Sequence, residues 1–317
     1  MNIIDFIVNS MLAGTALLYG ILGEITNERV GHLNLGVEGM MALGACAGFM
    51  VGFATSNLLL AVVAAFAAGV LGALIYGLIT ITFMADQTVT GLTLTIFGVG
   101  LSNFIGELML NNAPDKTIKL SDAMNAQIAN VHIPGLSDIP GVGQVLFSYN
   151  IFVYLGIAIA IVLAIYFGRT SVGLHVRAIG ENPAAADAAG IDVKKMKYIH
   201  VLLGGGICGI GGAYASMITN GGVWLANSVG GQGWIAVALV IFASWKPGRA
   251  ILGAFVFGAC SVLKFYIPKS LFPMPNAIYD MLPFIVTALV LVISSVRRYK
   301  DNQQPASCGV NYFREER

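Results

Sequence analysis

Charge is what this chain has least of. Asp, Glu, Lys and Arg make up 10% of its 317 residues, against 57% hydrophobic, where a soluble domain carries roughly 25% charge. Such a surface excludes life in water and makes lipid the solvent. Cysteine is sparse too. Cys46, Cys208, Cys260 and Cys308 show no CxxC spacing, which excludes a disulfide framework and a cysteine metal site and leaves small apolar filler. No G-x-x-x-x-G-K-[ST], HExxH, nucleophile elbow or Cys/His cluster occurs. Nothing therefore argues for covalent chemistry, a metal or ATP held in a P-loop, and no cofactor is expected on this chain. The stretch "GGGICG" at Gly204–Gly209 formally matches GxGxxG, but it lies inside an apolar run with no strand before it, so dinucleotide binding is rejected. The opening "MNIIDFIVNS" lacks a basic segment and reads as an uncleaved first span rather than a secretory signal.

Long apolar runs are what the chain does have. A helix needs about 20 residues to cross a hydrocarbon core of roughly 30 Å. Runs of that order fall at Ile3–Gly23, Leu35–Phe53, Leu58–Met84, Thr88–Leu110, Tyr149–Gly168, Ile199–Ile218, Gly233–Trp245, Ile251–Ile267 and Ile278–Val296. They are continuous rather than alternating, which favours helices over a barrel. The expected fold is an all-α polytopic membrane protein with about nine transmembrane helices, eight at the fewest and ten at the most. Gly233–Trp245 is short and could be re-entrant. The transmembrane part covers 1–298, with a long loop at 111–148, a second at 169–198 and a tail at 299–317.

Lys and Arg set the orientation. Arg29, Arg169, Arg177, Lys194, Lys195, Lys197, Lys246, Arg249, Arg297, Arg298, Lys300, Arg314 and Arg317 fall on one side of a nine-span topology, 13 of the 17 basic residues. That side is expected to be cytoplasmic, with the C-terminus inside and the N-terminus outside. The loop 111–148 then lies outside, as short surface helices and turns. It serves as a docking surface for an external partner or as a solvated connection.

Three polar constellations interrupt the lipid phase. The first is "ITNERVGHLNLGVEGMMALGACAGFMVG", where Glu24, Glu28, Arg29 and His32 mark the edge of the first span and Asn34 and Glu38 follow among glycines. A carboxylate in lipid costs on the order of 2.5–3.5 kcal/mol by insertion scales unless paired or wet. Glu38 therefore either lines a path through a broken helix or pairs structurally with Arg29 or a backbone donor. The second is "ITNGGVWLANSVGGQGWIAVALV". Asn220, Trp224, Asn227, Ser228, Gln232 and Trp234 offer directional amides and an indole stacking face suited to an uncharged polar solute with a ring. The same tryptophans could form an interfacial belt. The third is Thr88, Thr90, Thr93, Thr95, Ser102 and Asn103, either back-bonded to their own helix or a polar wall. The first two, glycine-broken and in opposite halves, enter from opposite sides, which points to inverted repeats around a site. Gly44, Gly48 and Gly52 form a GxxxGxxxG face, and Gly205 and Gly209 another, for close helix packing.

The loop "TSVGLHVRAIGENPAAADAAGIDVKKMKYIH" turns polar and basic between two apolar runs. Its middle reads as a short Ala-rich helix. Asn182 can cap it, Pro183 suits its first position, and Gly190 suits its end. A short stiff helix held at the membrane surface can act as a lever for a motor protein; an ordinary amphipathic surface helix is the plainer alternative.

The stretch "GRTSVGLHVRAIGENPAAADAAGIDVKKMKYIHVLLGGGICGIGGAYAS" resembles the cytoplasmic loop of ABC-importer permeases of the branched-chain amino acid and ribose type. "NERVGHLNLGVEGMMALGA" resembles the simple-sugar or nucleoside sub-branch, which works with basic-membrane-protein-type lipoproteins, and "GWIAVALVIFASWKPGRAILGAFVFGA" fits the same family. The resemblance runs from about Glu24 to Val296. It implies a permease subunit in a bacterial plasma membrane, importing nucleosides, or else ribose, other simple sugars or branched-chain amino acids. Its implied partners are an ABC ATPase subunit that binds the ATP, a second and unlike permease subunit, and an extracellular substrate-binding lipoprotein; nucleic acid is not among them. Glu181, Asn182, Pro183, Ala184, Ala185, Ala186 and Gly190 would contact the ATPase. Asn34, Glu38, Thr93, Asn103, Asn220, Trp224, Asn227 and Gln232 would line the substrate path. A secondary transporter coupled to an ion gradient through Glu38 and Glu107 is the rival class.

Overall fold

The computed structural model describes residues 3–113, 115–131, 134–135, 137, 139, 141–267, 276–296 and 303–314. These form thirteen α-helices and no named strand: α1 (Ile3–Arg29), α2 (Val37–Thr55), α3 (Leu58–Gly77), α4 (Gln87–Asn112), α5 (Asp122–Ile128), α6 (Val142–Phe147), α7 (Ile151–Arg169), α8 (Ser171–Glu181), α9 (Pro183–Ala188), α10 (Val193–Tyr214), α11 (Gln232–Ala243), α12 (Pro247–Tyr266) and α13 (Asn276–Val296). Helices α3 and α10 each run on through one π-helical turn, Leu78–Thr82 and Ala215–Thr219. Among the described residues seven helices, α1 to α4, α7, α10 and α12, are long and apolar enough to cross a membrane. The 21-residue α13 occupies the last expected span. The remaining one, α11, has 12 residues. At 1.5 Å per residue it is about 18 Å long, too short to cross alone.

Side-chain caps fix most of these starts. Asn57, Asp86, Asn150, Thr170, Asn182 and Asp192 each accept a backbone N–H from the first turn of the helix that follows, one of the four donors a helix start leaves open.

The packing repeats. Helix α10 lies against α2 and α3, and α1 lies in the same way against α11 and α12. At the centre α1 and α10 run antiparallel, with Gly23 beside Gly204, Cys208 near the Gly20 carbonyl, and the Tyr214 hydroxyl donating to the Leu12 carbonyl at 2.8 Å. Helices α1 and α10 thus start at opposite ends of the bundle, and each packs on helices from the other half of the chain. Glycine permits the contacts: a Cβ on Gly44 would lie 2.3 Å from the Gly209 Cα, and one on Gly14 2.2 Å from the Ala254 carbonyl oxygen. The small faces read from the sequence meet each other across α2 and α10.

Helix α10 begins at Val193, ahead of the expected Ile199, and two further features differ from expectation. Helix α1 continues past Gly23 to Arg29, because its acidic residues are satisfied inside the protein. Glu24 accepts from the Asn34 N–H at 2.9 Å and the Asn27 amide at 3.0 Å, and Glu28 accepts from the Trp245 indole. A carboxylate given such donors can sit in a buried helix. The polar stretch before α10 also holds an additional helix, α8, ahead of the expected Ala-rich α9. The break between them is the Asn182 cap.

The two ends of the bundle are distinct. At one end the tail returns to the helices: Ser307 N–H donates to the Gly180 carbonyl at 2.8 Å, the Tyr312 hydroxyl donates to Asp187 at 2.8 Å, and Arg314 pairs with Asp187 at 3.2 Å. Arg29, α8, α9 and the start of α10 lie there with it. At the other end the loop 111–148 is stitched to the break after α10, Leu120 N–H donating to the Gly222 carbonyl at 2.9 Å and Trp224 N–H to the Ile118 carbonyl at 3.0 Å.

Candidate functional site

The break between α10 and α11 needs backbone that only a few residues adopt. Gly230 and Gly231 have φ of +62° and +85°, and Asn227 takes a left-handed φ of +54°, a region asparagine tolerates better than most residues. This conformation brings the Asn227 side chain to α4. The two asparagines bond reciprocally: Asn103 Nδ2 donates to Asn227 Oδ1 at 2.8 Å, and Asn227 N–H donates to Asn103 Oδ1 at 2.9 Å.

Glu38 anchors the same break from α2. Its carboxylate accepts from Gly231 N–H at 2.8 Å and Gly233 N–H at 2.6 Å. These are open donors at the start of α11, where the helix dipole also favours an anion. Gly233 sits so close to the Glu38 backbone that a Cβ there would fall 2.5 Å from its Cα. Both carboxylate oxygens are thus held by backbone donors.

Between these anchors lies a cavity of about 670 Å³, within the ~300–1,000 Å³ of small-molecule sites. Glu38, Thr95, Ser102, Asn103, Asn227 and Trp234 are on its wall, together with Ala42, Ala45 and Val99. The wall is mostly apolar, with a few convergent amides and hydroxyls and one half-exposed indole. Such a surface can hold an uncharged ring and orient its polar edge.

Of the residues read as a path from sequence, Glu38, Asn103 and Asn227 meet here. The others lie elsewhere. Asn34 is buried before α2, its Oδ1 accepting from Gly36 N–H at 2.9 Å. Thr93 is exposed and back-bonded to the Val89 carbonyl at 2.8 Å. Trp224 is buried against Phe49, with ring centroids 5.4 Å apart; Trp234, at 40% exposure, is the tryptophan that reaches the cavity. Asn220, Trp224 and Gln232 are near the break but off this wall, and each keeps one buried polar atom without a partner. Thr95 and Ser102 share the cavity-facing side of α4 with Asn103; threonine-serine spacing shows the polar helix but not which hydroxyls face inward. Glu107 is exposed on α4 and away from the cavity.

At the opposite end, Glu181 and Asn182 are exposed, Pro183 and Ala184 half-buried, Ala185 exposed and Ala186 buried. Asn182 Oδ1 caps α9 by accepting from Ala185 N–H at 3.0 Å, and Gly190, at φ +84°, turns the chain toward α10. The element has one side on the protein and one side free.

Residues 6–291 match the family model described as "Branched-chain amino acid transport system / permease component". The chain belongs to this family. The guanosine ABC transporter permease NupQ of Bacillus subtilis strain 168 is 36% identical over 303 residues, covering 92% of each chain. The nucleoside ABC transporter permease NupC of Lactococcus lactis is 29% identical over 329 aligned positions, covering 99% of each. A Haloferax volcanii protein named as a glucose ABC transporter permease, TsgC13, is 36% identical over 252 residues, 80% of this chain and 74% of the relative. No solved structure matches.

Proposed function

We propose that the chain is the membrane permease of an ATP-driven importer and that its solute is a nucleoside. One observation carries the reading: the wall of the α2–α4–α11 cavity offers amides, hydroxyls and an indole, while its one carboxylate is held by backbone N–H groups. A zwitterionic amino acid would ask for a free anion and cation; a nucleoside asks for stacking and directional hydrogen bonds. The names of NupQ and NupC support the same solute class.

In this reading ATP is bound and hydrolysed on a separate ATPase chain. The basic end and the C-terminus lie in the cytoplasm of a bacterial cell, where Glu181, Asn182, Pro183, Ala184, Ala185, Ala186 and Gly190 meet that ATPase. A second, unlike permease completes the pore, and an extracellular lipoprotein delivers the solute to the end built from loop 111–148. Movement of α9 tilts α10, whose far end carries the break that shapes the cavity, so the site opens to one side at a time.

The test is uptake by cells expressing the full transporter, with labelled guanosine competed by nucleosides, ribose and branched-chain amino acids. Competition by nucleosides alone is expected. Competition by ribose or an amino acid, with nucleosides silent, removes the solute assignment. Uptake that continues with the ATPase inactivated removes the coupling.

A further inference from the structure

A second cavity, about 490 Å³, opens at the basic end between the α9–α10 turn, the π-helical turn after α3 and the returning tail. Most of its polar groups are already satisfied. Asp187 takes Arg314 and Tyr312. Asp192 accepts from Lys195 N–H at 2.9 Å. Asn311 donates to the Met84 and Ala85 carbonyls and accepts from Gln87.

Two groups on the wall are left over, His32 and Lys197. His32, 1% exposed, has its Nε2 at 2.9 Å from the Thr80 hydroxyl. That hydroxyl donates its only proton to the Tyr76 carbonyl at 2.8 Å, so it accepts from His32 and the ring proton is on Nε2. Nδ1 therefore presents a lone pair, and it is buried without a donor. Burial, and then the charge of Lys197, hold the ring well below the usual histidine range, so it stays neutral near pH 7. Lys197, on the first turns of α10, is 4% exposed and has no hydrogen-bond or ion-pair partner among the described residues.

A buried imidazole nitrogen without a donor is costly, and it shares one cavity wall with the Lys197 side chain. A water molecule could bridge them but would leave the charge unanswered. A carboxylate or sulfate answers the charge but has no proton to give. A phosphate monoester or hydrogen phosphate carries both an anionic oxygen and an O–H. The exposed Lys194 and Arg314 at the rim add attraction for an anion.

We propose that this cavity binds a monohydrogen phosphate group, whose anionic oxygen accepts from Lys197 and whose hydroxyl donates to His32 Nδ1. The inference rests on no part of the import reading. The same chemistry is offered by free phosphate and by the headgroup of phosphatidic acid.

The full chain, purified in detergent, is titrated with phosphate and with sulfate at matched ionic strength near neutral pH, and its thermal midpoint is followed. A saturable rise with phosphate is expected, with sulfate weaker by about ten-fold, the discrimination a lost hydrogen bond in a buried site gives. Lys197→Met should abolish the rise; if that variant does not fold, equilibrium dialysis of labelled phosphate with Lys197→Gln replaces it. In phosphatidylcholine nanodiscs, added phosphatidic acid distinguishes the sources. If lipid is the ligand, it alone raises the midpoint, and native mass spectrometry shows one bound lipid that Lys197→Met loses. Equal responses to phosphate and sulfate, a response that survives in Lys197→Met, or no response to either source overturns the proposal. So does binding that appears only when the chain is ended at Arg314, since its own terminal carboxylates would then be the occupant.

Discussion

The pair Asn103–Asn227 shows how far a single residue's chemistry can be read before folding. Amides beside glycines in a membrane chain announce a polar purpose, and both residues stand out in the sequence on that ground. Their partnership across 124 positions does not, because it depends on the left-handed φ of Asn227 and the bend it creates. Glu38 is similar: its cost in lipid is plain from sequence, but its donors, Gly231 and Gly233, are backbone groups that leave no side-chain signal. If the asparagine pair shapes the cavity wall, Asn103→Ala, which removes both bonds, should lower guanosine uptake about five- to ten-fold, the value of roughly 1–1.5 kcal/mol for a pair of neutral hydrogen bonds, and Asn227→Ala, which keeps its backbone N–H donor, should lower it less. The double variant should be no worse than Asn103→Ala alone, since that change already removes both bonds. Initial uptake rates normalised to surface abundance check this. Wild-type rates in the single variants, or additive losses in the double, would remove the pair from the site.

At the scale of elements, α9 was legible because everything that makes it is local: a capping asparagine, proline at the first position, alanines, and a glycine with positive φ at the end. Its restraint was not legible. The tail is polar, and polarity predicts only solvation. In the structure it crosses back over α8 and α9, with Ser307 N–H donating to the Gly180 carbonyl and Tyr312 and Arg314 both engaging Asp187. The Arg314 contact is largely exposed, so it is worth at most about 1 kcal/mol; the Tyr312 hydroxyl on a carboxylate is the stronger link, about 1.5–3 kcal/mol. Tyr312→Phe should therefore loosen α9 without unfolding the bundle. In the assembled transporter this predicts that ATP hydrolysis continues while uptake per ATP falls several-fold. Hydrolysis and uptake measured on the same membranes decide it: a parallel loss of both, or no change in either, would mean that the tail does not position α9.

For the whole molecule, hydropathy revealed each long helix, because burial in lipid needs only length and apolarity. It could not reveal the pairing of the halves, because α1 and α10 meet through glycines and small side chains that packing selects for absence of bulk rather than for any repeated letter. The antiparallel α1–α10 pair fixes which loops share an end. Loop 111–148 is joined to the break before α11 at one end, and Arg29, α9 and the tail are joined at the other. In the proposed reading the excess of Lys and Arg puts that second end in the cytoplasm. With Cys46, Cys208, Cys260 and Cys308 replaced by alanine, Ala126→Cys in α5 should react with a membrane-impermeant maleimide in intact cells, and Ala189→Cys after α9 should react only once the membrane is opened. Both positions are exposed, so access rather than burial governs the labelling. The reverse pattern would put α9 outside, beyond the reach of any cytoplasmic ATPase. The same fold would then have to be driven by something other than ATP, and the cavity at α2, α4 and α11 would be the one part of the assignment left standing.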